Sequence, residues 1–248
     1  MSKQTVTLID HMGSDLTVVN AARVSMDKES GWEYEPCATD DADDDTETGN
    51  FMVDSAGFPC RKILSEPDTK LISYLAKHSH WTPFGHPQIT FRIKAPIFVA
   101  RQLGKHQVGM VWNEVSRRYV DSEPEFFEPE SWRKRADNVK QGSSDERVES
   151  HLNLSMAVMM RQEDDYRLYA EMIHNGVCPE QARMVLPQSM MTEWYWTGSL
   201  AAWARVCKLR LDPHSQRETQ EIAQMISDEV SKLFPVSWVT LMNNTYGS

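Results

Sequence analysis

The chain has 248 residues, 40% of them hydrophobic and 25% charged, with a formal net charge of −10. This is a globular profile with enough length to bury a real core. No run approaches the ~20 apolar residues of a membrane helix, and the start MSKQTVTLIDHMG lacks a signal-peptide core, so a cytoplasmic protein away from membranes is expected. The acidic balance argues against a nucleic-acid polymer as partner, because that affinity rests on Lys and Arg neutralising phosphates.

In chain order, DLTVVNAARVSM predicts a helix from Asp15, with Asp15 as N-cap and Leu16, Val19 and Arg23 along one face. Residues 29–48 hold nine acidic and no basic side chains, almost the whole charge excess, and read as a solvated insertion at about 27–66. They lack the Gly-punctuated spacing of a calcium loop. PDTKLISYLAK (67–77) predicts a second helix opened by Pro67. In HSHWTPFGHP, Pro83, Gly85 and Pro87 argue against regular structure. QITFRIKA alternates Ile89, Phe91 and Ile93 with polar residues, the period of a half-buried strand, and Pro96 is placed to open a two-turn helix after it.

A long amphipathic helix is expected between Asp145 and Ile173. Its stripe of Leu152, Met156, Met159, Tyr166 and Ile173 reads as core or subunit interface. PEQARMVLP predicts a short helix closed by Pro187, and two more helices follow, separated near Asp212 and Pro213. Strand beside several helices gives an α+β class, taken as a single domain over residues 1–248.

Polar residues crowd into otherwise apolar segments at several points. ARQLGKHQVGMVWNEVSRRYV places Arg101, Gln102, Lys105, His106, Gln107, Asn113, Glu114, Ser116, Arg117 and Arg118 close together. Guanidinium groups pair with phosphate oxygens and lysines add point charge, so the segment predicts an anion site. Arg183, Arg205, Lys208 and Arg210 follow. Singly they read as snorkelling side chains. Jointly they predict a ligand with several negative charges, gripped by arginines that converge in space. His78, His80 and His86 are weak zinc candidates with no Cys or carboxylate to complete a set. The four cysteines, Cys37, Cys60, Cys178 and Cys207, are too scattered for a disulfide framework. Cys37 and Cys60 each follow a proline, but neither stands beside a His or helix start that would activate a thiol, and both read as inert. Walker, Gly-x-Ser-x-Gly and Gly-x-Gly-x-x-Gly motifs are missing from the sequence.

The blocks AARVS (21–25), HSHWTPFGH (78–86), KAPIFVARQ (94–102), NEVSRRY (113–119), ARMVLP (182–187), WYWTGSLAAW (194–203) and LRLDPHSQRE (209–218) occur in one order across nearly the whole chain. As an ordered set the chain resembles the flavin-dependent thymidylate synthases. That family's Arg-His-Arg, seven residues, then Ser is here Lys105-His106-Gln107, eight residues, then Ser116, a departure similar to variants of bacteriophage members. The resemblance implies a helix-rich fold with a small, mainly antiparallel sheet. It also implies a homotetramer with FAD at subunit junctions, in the host cytoplasm if phage-encoded. NADPH would be the reductant and methylenetetrahydrofolate the one-carbon donor, converting dUMP to dTMP.

By the same resemblance, Ser25, His80, Thr82, Lys105, His106 and Gln107 match flavin-binding positions, with Ser199 and Arg205 where the family often has Asn. Gln102, Lys105, Glu114, Ser116, Arg117, Arg118, Arg183 and Arg210 match the dUMP site. Arg210 would be catalytic, stabilising negative charge on the activated uracil, and no metal is implied. Gly85 and Ala201 replace a flavin-contacting Glu and an Arg. The alternatives are a flavin-dependent hydroxymethylase acting on dUMP or dCMP, a metal-dependent nucleotide hydrolase using His78, His80, His86 and the acidic run, and a non-catalytic binder of phosphorylated ligands.

Overall fold

The computed structural model describes residues 2–36, 51–53, 59–137 and 142–244. Cys37 and most of the acidic run lie outside the described residues. Strand β1 (Thr5–Met12) leads into helix α1 (Asp15–Arg23). The N-cap is Ser14, whose backbone N–H donates to Thr17 Oγ1 at 3.0 Å, not Asp15. Strands β2 (Glu33–Pro36), β3 (Phe51–Val53) and β4 (Pro59–Ile63) lie within the expected insertion and pair antiparallel in the order β2-β4-β3. Helix α2 (Glu66–Lys77) begins at Ser65, whose Oγ accepts the Asp68 N–H at 3.2 Å. The Pro- and Gly-rich stretch after it forms one 3-10 turn over Thr82–Gly85, a short element that Pro tolerates in its first positions.

Strand β5 (Gln88–Pro96) buries Ile89, Phe91, Ile93 and Ala95 completely, as its alternation predicts. Pro96 caps α3 (Ile97–Leu103), and β6 (Met110–Glu114) follows. The hairpin of β7 (Arg133–Arg135) and β8 (Ser143–Arg147) takes residues expected to start the long helix, which runs as α4 (His151–His174). Then come α5 (Pro179–Ala182), a 3-10 turn over Arg183–Val185, β9 (Met191–Ser199), α6 (Leu200–Arg210), α7 (Arg217–Leu233) and α8 (Pro235–Asn243). The larger sheet has the order β1-β5-β9-β6, which makes β6 an edge strand. Helices with small sheets give the expected α+β class. Among the described residues no helix is long and apolar enough to cross a membrane.

The chain divides into two compact units: Met1–Ile9, Thr90–Thr197 and Lys208–Met225 form the first, and Asp10–Ile89, Gly198–Cys207 and Ile226–Ser248 the second. Trp194, Trp196, Phe91 and Ile93 are buried in the first. The second buries Val18, Ile72, Phe84, Trp203 and Phe234, and Trp203 Nε1–H donates to the Ile89 carbonyl at 3.1 Å.

Helix α4 turns its expected face the other way. His151, Ser155, Gln162, Asp165 and Tyr169 are its buried residues, whereas Leu152, Met156, Met159 and Met160 are exposed. The inward face is polar because it meets polar partners: Trp132 Nε1–H donates to Ser155 Oγ at 3.0 Å, and Gln162 Nε2–H to Ser189 Oγ at 3.0 Å. The core reading of the apolar stripe is therefore corrected.

Asp15 is buried in the second unit, where its two oxygens accept the N–H groups of Val236 and Ser237, each at 2.9 Å. It thus caps α8 rather than its own helix. Burial pushes its carboxyl above the ordinary value of 3.8, against the two backbone donors that favour the charged form. Asp15→Ala leaves both donors buried without acceptors, at a cost of about 2 kcal/mol. A thermal-unfolding midpoint lower by about 4–8 °C is expected, with a smaller drop for Asp15→Asn, which keeps one acceptor oxygen.

Candidate active site

The first unit holds two polar clefts. One, of about 640 Å³, is lined by Arg101 from α3, Glu114 from the end of β6, Arg117, Arg183 from its 3-10 turn, and Thr192 from β9. Local bonds fix the arginines. Arg117 Nη1–H donates to the Ser122 carbonyl, and Arg183 Nε–H to the Glu180 carbonyl at 3.3 Å. Two nearby cations are matched by carboxylates, Lys94 to Glu125 at 2.6 Å and Arg92 to Glu193 at 2.8 Å. A cleft lined by three guanidinium groups, Lys94 and the carboxylates of Glu114, Glu123, Glu125 and Glu193 suits a phosphorylated ligand that also offers hydrogen-bond donors.

The second cleft, of about 710 Å³, is lined by Gln102, Arg133, Arg210, Asp212, His214 and Gln216 among others. Arg210 sits in the last turn of α6. Its Nε–H donates to His106 Nε2 and its Nη2–H to the Gln102 carbonyl, both at 3.0 Å. Arg donates only, so His106 Nε2 must be the unprotonated ring nitrogen. Two of the five guanidinium N–H groups are used in this way, and burial lowers the Arg210 pKa from its ordinary value. The Gln102 side chain is held from both ends, donating to Gln216 Oε1 and accepting from Thr219 Oγ1 at 3.2 Å. Behind it, buried Glu218 receives Arg133 Nη2 at 2.7 Å and Gln216 Nε2 at 2.9 Å. Desolvation would raise the Glu218 pKa, but these donors outweigh it and the value is lowered.

Of the positions proposed from sequence, Glu114, Arg117 and Arg183 meet in one cleft, while Gln102, His106 and Arg210 are joined at the other. Within the one chain, Arg183 and Arg210 line different clefts. Arg118 Nε–H donates to Ser116 Oγ at 3.1 Å and its guanidinium carbon lies 5.0 Å from the Tyr119 ring centre. Neither residue lines either cleft, nor do the exposed Lys105 and Gln107.

The second unit carries exposed Ser25, His80, Thr82 and Arg205. Ser199 is buried, and its Oγ accepts the Ala202 N–H at 3.3 Å, capping the start of α6. Among the described residues no three His, Cys, Asp or Glu side chains are placed to hold a metal ion. Cys60 and Cys207 are buried, and burial pushes the Cys207 thiol far up, away from nucleophilic thiolate chemistry.

Arg133, Gln216, Glu218, Thr219 and Thr192 were missed in the sequence. The first four form a web that links α7 to the hairpin, and no local pattern marks such a web. Thr192 was visible only as the first inward position of the alternating run Thr192, Trp194, Trp196.

A family model described as thymidylate synthase complementing protein matches residues 7–236. The chain belongs to this family, the flavin-dependent thymidylate synthases. A flavin-dependent thymidylate synthase of Thermus thermophilus is 34% identical over 96% of this chain and 75% of its own length, and that of Thermosipho africanus is 33% identical over 99% and 94%. Among solved structures, the UMP/dUMP methylase PolB of Streptomyces cacaoi bound with 5-Br dUMP aligns with a TM-score of 0.76 and 28% identity, over 98% of this chain and 96% of that one. The same methylase bound with 5-Br UMP aligns with a TM-score of 0.76 and 26% identity. Among the described residues, arginines line both clefts and no cysteine lines either.

Proposed function

We propose that this chain reductively methylates dUMP to dTMP, taking the one-carbon unit from methylenetetrahydrofolate and reducing equivalents from NADPH, with FAD as cofactor. The observation that carries this reading is the Arg210 guanidinium, pinned by His106 and Gln102 at the edge of a cleft with N–H groups to spare. Such a cation is preorganised to stabilise negative charge that develops on a uracil ring when C5 attacks an electrophilic carbon. Arg117 and Arg183 hold the phosphate in the other cleft, and Glu114 takes a donor of the nucleotide. Ser116 and Arg118 serve the same ligand as a bonded pair.

The donor set of the second unit fits a flavin dinucleotide. The Arg205 guanidinium suits a pyrophosphate, and Ser25, His80 and Thr82 are exposed polar groups able to bond a ribityl chain or ring edge. Lys105, His106 and Gln107, which follow α3 in the first unit, are proposed flavin contacts in their own right, and Ser199 offers its hydroxyl proton. When bound, FAD supplies hydride chemistry, which removes the need for a cysteine nucleophile.

The proposed enzyme is a homotetramer. The exposed Leu152, Met156, Met159 and Met160 on α4 form an apolar stripe that assembly would cover. Symmetric assembly would also bring the Arg183 cleft of one copy to the Arg210 cleft of another, which answers their separation within the chain. The reaction is tested by incubating purified protein with dUMP, methylenetetrahydrofolate, FAD and NADPH and weighing the product. A nucleotide heavier by one CH2 is expected. A product carrying an extra oxygen would mean hydroxymethylation instead, and unchanged dUMP with oxidised NADPH would remove the methylation reading.

A further inference from the structure

Strands β6 and β9 are neighbours in the larger sheet, and alternate residues of a strand share a face. Trp112 and Glu114 are two apart on β6, as Thr192, Trp194 and Trp196 are on β9. These five side chains meet. Trp112 stacks on Trp194 with ring centres 4.3 Å apart at 17°, and meets Trp196 edge-on at 5.3 Å and 70°. Trp194 is 1% exposed, so it is an anchored platform and the Trp112 ring on it has little rotational freedom. From that fixed ring, Nε1–H donates to Glu114 Oε2 at 3.2 Å. On the other side, Thr192 Oγ1–H donates to Glu114 Oε1 at 2.6 Å. Each carboxylate oxygen thus has one fixed donor, and each keeps acceptor capacity at a cleft that Glu114 lines together with Arg117 and Arg183.

We propose that Thr192 and Trp112 are positioning residues that hold the Glu114 carboxylate to accept the 3′-hydroxyl of dUMP. This rests on the reading of the arginine-lined cleft as the nucleotide site. If Arg117 and Arg183 take the 5′-phosphate, the ligand group next to them is the sugar, and a 2′-deoxyribose monophosphate has one free hydroxyl, at C3′. The uracil N3–H, the other donor, lies at the far end of the molecule. An unclamped glutamate would lose side-chain entropy on meeting that hydroxyl, whereas a carboxylate held at both oxygens has already lost it. Neither positioning residue needs to touch the ligand.

The test is a cycle between protein and ligand. Dissociation constants of dUMP and its 3′-deoxy analogue are measured by calorimetry on flavin-loaded wild type, Thr192→Val, Thr192→Ser and Trp112→Phe. Wild type is expected to prefer dUMP about tenfold. In Thr192→Val the preference should shrink to about twofold, and Thr192→Ser, which keeps the hydroxyl, should restore it. Trp112→Phe keeps the stacking and removes the donor, and should show an intermediate loss, with KM for dUMP raised and kcat little changed. Thr192→Val and Trp112→Phe that both retain the tenfold preference would overturn the proposal, as would a wild type indifferent to the 3′-hydroxyl. A wild type that holds flavin but binds neither uridylate would instead remove the nucleotide reading of the cleft.

Discussion

Replacing Arg210 with alanine is expected to lower kcat by about 10²–10³-fold, the usual cost of losing one preorganised donor to developing negative charge. The geometry argues for an effect on turnover rather than on folding. Arg210 is half-buried at a cleft, and its two protein bonds go to a ring nitrogen and a carbonyl, both of which water can satisfy once the side chain is gone. No carboxylate partner would be left as an unpaired buried charge. Arg210→Lys should recover little, because a single ammonium cannot bond His106 and Gln102 and still present a planar donor edge. Steady-state kcat and flavin absorbance, measured on the same preparation, separate the possibilities. Lost flavin with unchanged kcat per bound flavin would assign Arg210 to cofactor retention, and full turnover in the alanine variant would end its proposed role.

The second large effect is expected at α4. Leu152 and Met156 are 68% and 63% exposed, Met159 and Met160 54% and 69%, along one helix whose buried side is polar. Glutamate at Met156 and Met159 is a good helix former and clashes with nothing inside the chain, so the fold should survive. In a symmetric assembly every copy carries both changes. Losing two buried methionine side chains costs about 3–6 kcal/mol per copy before charge desolvation is counted, which is two to four decades in the association constant. Sedimentation should show Met156→Glu/Met159→Glu as smaller species than wild type, with normal helical content and with turnover lost alongside assembly. A tetramer that persists in the double variant would place the interface elsewhere.

Local signals made much of this fold legible. Pro67 and Pro96 open helices because their missing N–H is not needed there, and the alternation of β5 gave its buried face residue by residue. Where a residue could serve two elements, the sequence misled. Asp15 looks like the cap of the helix it begins, yet its oxygens bond α8, more than 200 positions away in the chain. Strand β9 was hidden because its aromatic run continues directly into the apolar start of α6, and α8 was hidden by Pro235, which reads as a stop until it proves to be a first-turn residue. The hairpin of β7 and β8 occupies polar sequence with no strand alternation, and β8 shortened the long helix predicted from Asp145.

By itself the amino-acid order determined the family, the α+β class, the dominance of arginine over cysteine among candidate chemical groups, and the start of most helices. Each is a matter of residue identity, or of spacing within a few turns of chain. Tertiary structure alone decided which arginines share a cleft, that α4 buries a polar face, and that Glu114 is held by Thr192 and Trp112. Those are outcomes of long-range packing. A helix with two plausible faces, or a carboxylate with several possible donors, is settled by what the rest of the chain brings alongside it, and that information is not contained in any short stretch.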